Sequence, residues 1–161
     1  MQSIPEQIPT DSASVMHKNT ELYHQDFYAW INSQVTLLRQ GRVQELNQEF
    51  LAEELEDMSR HHRNELVSRL IILIAHLLKW QYQPKRRSSS WRDSIMEQRV
   101  QIEHNIDFSP SLKPFLHEAI AAAYPKAVRL ASKETKLDKS VFPETCPYQP
   151  QELLDEDYWP E

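Results

Sequence analysis

An all-α fold is what this sequence predicts: a helical bundle of about four main helices, with one very long second helix and a proline-punctuated C-terminal segment. Three observations predict it. The 161 residues include one glycine, Gly41, against roughly 7% in average proteins, and sheets need glycine in hairpins and bulges. Apolar residues recur every three to four positions, the period of a helix that faces a core. None of the ten prolines falls between Pro9 and Pro84, and eight lie from Pro84 onward. The first half can therefore sustain long helices, and the second half is interrupted wherever a missing N–H breaks the ladder.

Each element follows in order. Residues 1–19 are polar and lack periodicity, and read as a flexible N-terminal tail ahead of a single helical domain over 20–161. A first helix is expected from Thr20 to Gln40, with Tyr23, Phe27, Trp30, Gln34 and Leu38 at helical spacing. Gly41 suits its left-handed end. Asn47 can cap the second helix, flanked by Leu46 and Leu51 as a hydrophobic staple. Nothing then breaks helical periodicity from Gln48 to Tyr82, about 50 Å if unbroken. Pro84 ends that run. Ser90 is expected to cap a third helix turning Trp91, Ile95, Ile102 and Ile106 inward. Ser111 is expected to cap a fourth, with Pro114 in its first turn and Pro125 within it. One short helix is expected around Pro150 to Asp155, with Tyr158 and Trp159 docking on the body.

Composition excludes several classes of function. A net charge of −6 argues against wholesale coating of nucleic acid or anionic membrane. Cys146 is the only cysteine, so neither an intrachain disulfide nor a cysteine zinc site can form. The start "MQSIPEQIPTDSASVMHKN" lacks the basic and apolar parts of a signal peptide. The longest apolar run, "LIILIAHLL", has nine residues, too few to cross a bilayer. A soluble, cytoplasmic protein with no membrane partner is the expectation.

Chemistry concentrates in two places. In "LAEELEDMSRHH", helical rotation at about 100° per residue places Leu51, Leu55, Met58, His62, Leu66, Leu73 and Trp80 on one inward stripe. Glu53 and Glu56 point to water. Glu54, Asp57 and His61 line one flank of the stripe, where a divalent metal could sit if another helix completed its ligands. The ordinary reading is that acids favour the positive start of a helix, and that Lys79, Lys85, Arg86 and Arg87 suit its negative end. No cofactor is required. Within the stripe His62, Arg69 and His76 recur every seven residues as a polar core pocket, and a buried arginine needs a partner, for which Glu65 is one candidate. The second place is "KWQYQPKRRSSSWRDS". Its basic surface of Lys79, Lys85, Arg86, Arg87 and Arg92 is interleaved with aromatics, a composition that can clamp phosphates and stack bases.

The segments "DFYAWINSQVTLLRQGRVQEL", "LAEELEDM", "HLLKWQYQP", "SWRDSIMEQR" and "FPETCPY…LLDEDYWPE" together resemble the bacterial family called domain of unknown function 29, from about residue 23 to the C-terminus. The resemblance implies a small, soluble, all-helical bacterial protein, and it implies no activity. The family's motifs map onto Asp26, Phe27, Trp30, Glu54, Asp57, His76, Lys79, Trp80 and Trp91; His61 and His62 lie outside that pattern.

Three functional readings follow. The first is a non-enzymatic interaction or self-association module, whose partner is itself or another protein. Its motive is the second helix, whose acidic start could lie beside the basic end of an antiparallel copy. The second is a metal-assisted hydrolase or nuclease, with Glu54 and Asp57 as ligands and His76 or His61 as ligand or base; Glu54 and His76 are its catalytic candidates. No familiar catalytic signature accompanies it. The third is a nucleic-acid-binding adaptor working through residues 79–92.

Overall fold

A computed structural model of the chain describes residues 12–161. These residues are helical with no strand among them, in the order α1 (Ser12–Gln25), α2 (Phe27–Arg39), α3 (Gln48–Tyr82), α4 (Ser89–Phe108), α5 (Leu116–Thr135) and α6 (Pro150–Leu154), joined by short 3-10 turns. Of the expected tail, residues 1–11 lie outside the described residues, and the chain is helical from Ser12 onward. No helix among the described residues is long and apolar enough to cross a membrane. Contacts gather into two compact units, Met1–Asp57 and Met58–Glu161, which share α3.

In the first unit the single helix expected over 20–40 is two helices. Asp26 interrupts it by leaving helical geometry (φ −147°, ψ 81°) and accepting the Ala29 N–H at 2.9 Å, an N-cap in mid-run. The other end of α2 closes as expected. Gly41 adopts φ +69°, its N–H reaches the Leu38 carbonyl, and the Arg42 N–H reaches that of Leu37, each at 3.0 Å. That pair of bonds is a Schellman closure, which needs a residue tolerant of the left-handed region. Asn47 caps α3 by accepting the Phe50 N–H at 3.2 Å. Gln34, the one polar residue of the expected apolar series, is fully buried because its Oε1 accepts the Asn47 N–H at 2.9 Å.

In the second unit α3, α4 and α5 bury Leu66, Leu70, Leu73, Ile74, Leu77, Leu78, Ile95 and Ile102. Ala119, Ala123, Ala127 and Ala131 recur every fourth residue of α5 and are all buried, so one face of α5 is small enough for neighbours to approach closely. Pro125 is exposed, and α5 continues through it to Thr135. Two expected caps are displaced. Ser88, rather than Ser90, caps α4 by accepting the Trp91 N–H. Pro110–Phe115, which contains Ser111, forms a 3-10 turn that carries Pro114 ahead of Leu116, where α5 begins. The 3-10 form tolerates two closely spaced prolines better than a regular helical ladder does.

Candidate functional site

The inward stripe expected along α3 holds only for its second half. Leu66 and Leu73 are fully buried, whereas Leu55 is 64% and Met58 61% exposed, and every residue from Leu55 to Asn64 is exposed. Rotation about the helix axis decides which side chains share a face. It cannot tell along which turns a neighbour covers that face.

This shapes the fate of the acidic and histidine-rich cluster. Glu54 accepts a hydrogen bond from the Tyr23 hydroxyl at 2.5 Å, which raises the tyrosine's pKa. Asp57 and His61 are exposed. Among the described residues no three or more His, Cys, Asp or Glu side chains are grouped to hold a metal ion, so Glu54, Asp57 and His61 are not brought together as ligands. The polar pocket of His62, Arg69 and His76 does not form either, since His62 faces solvent. Arg69 is partly buried and paired with Glu65 through Nε at 3.1 Å and Nη2 at 2.9 Å, and that pairing holds the Glu65 carboxyl below its usual range. His76 is half-buried, and its Nδ1–H donates to the Ile72 carbonyl at 2.9 Å. Burial pushes its imidazole below the ordinary histidine value, and the Lys79 charge pushes the same way. The two catalytic candidates thus lie in different units, Glu54 in the first and His76 in the second.

The basic segment is rearranged more deeply. Lys79 is not surface: it is 5% exposed, ion-paired with Glu134 of α5, and its ammonium lies 4.6 Å from the centroid of the Trp91 ring. Arg87 lies over Trp80 at 5.0 Å, and its Nε donates to the Trp80 carbonyl at 2.9 Å. Trp80 packs against Trp159 at 4.8 Å, and Arg92 lies 5.6 Å from the Trp159 ring. The C-terminal aromatics dock, as expected. Because these rings already face the chain's own cations and one another, they are not open platforms for bases. Lys85 and Arg86 are exposed on the turn that follows α3.

One residue escaped the sequence reading. Arg99 of α4 is 1% exposed and donates to the carbonyls of Leu153 at 3.0 Å, Glu152 at 3.3 Å, Glu156 at 3.4 Å and Tyr158 at 2.8 Å. It satisfies the carbonyls that α6 and the following turn leave open. Burial lowers its pKa, partly offset by Asp155 and Glu156. The signal was present: Arg99 stands four residues after Ile95 and three before Ile102, on the inward face of α4.

A different feature marks the first unit. Phe27, Ile31, Val35 and Leu38 fall on one arc of α2 and are 44%, 37%, 38% and 52% exposed, next to the buried Trp30 and Gln34. From Phe27 to Leu38 the helix carries no charge.

These features define the class as an all-helical protein with an uncovered apolar helix face and a cluster of cations packed against its own tryptophan rings. The family model described as domain of unknown function DUF29 matches residues 22–159, and the chain belongs to that family. No curated protein and no solved structure matches the chain.

Proposed function

We propose that the protein is a helical self-association module whose contact surface is the uncharged outer arc of α2. The observation that carries this reading is the stripe of Phe27, Ile31, Val35 and Leu38, four apolar side chains each more than a third exposed on adjoining turns. Exposed apolar surface of this continuity is where soluble proteins place contacts. A second copy suits it for two reasons. A two-fold contact brings the same patch to itself, and a patch without charge does so with neither repulsion nor a buried ion. In an antiparallel arrangement Arg39, at the end of one α2, lies near the partner's α2 start, where Asp26 is exposed. The earlier motive, opposite charge at the two ends of α3, is weakened because Lys79 is buried and already paired. The metal-hydrolase reading has no ligand group among the described residues.

Light scattering after size exclusion tests the proposal. The wild-type chain is expected at twice its monomer mass, and Val35→Lys at monomer mass with unchanged far-UV circular dichroism. A wild-type monomer at every concentration would leave the α2 face to a different protein and refute self-association.

A further inference from the structure

The second unit contains a shallow cavity of about 280 Å³ lined by Trp80, Arg87, Ser88, Ser89 and Arg92. Its two guanidinium groups are held by neutral partners. Arg87 donates to the carbonyls of Trp80 at 2.9 Å and Pro160 at 3.4 Å and lies over the Trp80 ring. Arg92 lies near the face of Trp159. Among the described residues neither is ion-paired, unlike Arg42, Arg69 and Lys79, which pair with Glu45, Glu65 and Glu134. Arg87 is thus held in direction by two carbonyls, Arg92 rests against a ring, and neither cation beside the cavity is ion-paired among the described residues. Such an arrangement is pre-organised for an oxyanion, because the planar guanidinium fork matches the geometry of a phosphate.

The remaining lining narrows the ligand. Ser88 uses its Oγ as acceptor for the Trp91 N–H at 3.3 Å, which leaves its hydroxyl proton free to donate, and Ser89 adds a second hydroxyl. Trp80 contacts both Arg87 and Trp159, so no open ring offers a base a place to stack. We propose that Arg87 and Arg92, with Ser88 and Ser89, bind the phosphate group of a small phosphorylated molecule. This site lies wholly in the second unit and does not depend on self-association through α2.

Calorimetric titration at low ionic strength in a phosphate-free buffer tests it, with three probes: inorganic phosphate, glycerol 3-phosphate and a single-stranded oligonucleotide. Saturable binding of inorganic phosphate, glycerol 3-phosphate or both is expected, and which of them binds more tightly separates the free ion from a phosphomonoester. Arg92→Gln, which removes a side chain holding no hydrogen bond to the body, is expected to weaken that binding about tenfold or more, and Arg87→Gln with Arg92→Gln to abolish it. Arg86→Gln, in the same turn but outside the cavity, is expected to leave it unchanged. Absence of binding by both small probes, an equal loss in Arg86→Gln, or binding confined to the oligonucleotide would each overturn the proposal.

Discussion

The first unit is organised around rings: Tyr23 stacks on Phe50 at 4.2 Å and meets Trp30 edge-on at 4.8 Å, and Phe27 stacks on Trp30 at 5.6 Å. The second is organised around branched aliphatics and the alanine face of α5, and its two buried cations are closed off by partners far along the chain: Lys79 by Glu134, Arg99 by four C-terminal carbonyls. A core of Leu, Ile and Ala on three long helices closes around itself and leaves only scattered apolar side chains, such as Val100 and Phe108 of α4, exposed. A ring cluster on two short helices and one helix start leaves an apolar arc of α2 uncovered. The difference teaches where a second copy would act under the proposed self-association: on the first unit's continuous apolar arc, rather than on the closed aliphatic core of the second.

The largest expected effect breaks the second unit's polar closure. Arg99→Ala leaves four carbonyls without their buried donor and removes packing beside Trp159. A loss of about 4 kcal/mol is expected in denaturant unfolding, with a change in tryptophan emission as Trp159 leaves Trp80. A loss below about 1 kcal/mol would mean that the C-terminal segment does not depend on this cation.

Next in size, a pair of truncations on α3 sharpens the contrast between covered and uncovered turns. Leu73→Ala, at a fully buried position, is expected to cost about 3 kcal/mol. Leu55→Ala, on the same expected stripe but 64% exposed, is expected to change stability by less than about 0.5 kcal/mol. Equal costs in urea titrations would contradict the burial pattern.

The smallest effect concerns pH. His76 titrates below its ordinary value in the folded protein, chiefly because burial disfavours the charged ring, with Lys79 adding to the shift and Glu134 opposing it. The unfolded chain therefore takes up this proton first as pH falls through about 6.5, and the histidine's contribution is lost below that pH. Unfolding measured at pH 7.5 and 5.5 is expected to show a smaller acid-induced loss in His76→Gln than in wild type. Identical losses would dismiss His76 as a source of the pH dependence.

Much of this architecture was legible because helices obey local rules. Gly41 at the end of α2, Asn47 at the start of α3 and Pro84 just past its end are short-range signals, and each falls where backbone geometry demands. Asp26 was misread because the ring periodicity runs on from Tyr23 to Trp30 across it, while its capping bond to Ala29 depends on a backbone turn that apolar spacing does not encode. The pairing of Lys79 with Glu134, 55 residues away, and of Arg99 with carbonyls more than 50 residues away could not be read from spacing, because tertiary packing chooses the partner. Exposure of Leu55 and Met58 was hidden for the same reason: a stripe is a property of one helix, and burial is a property of two.

Hydrogen exchange at low and high protein concentration tests the central claim most directly, because it locates the surface as well as detecting association. Peptides spanning residues 27–39 are expected to gain protection as concentration rises, while peptides from α4 and α5 keep theirs, and Val35→Lys is expected to abolish the gain. Exchange in α2 that is independent of concentration, or a gain confined to the second unit, would contradict the account.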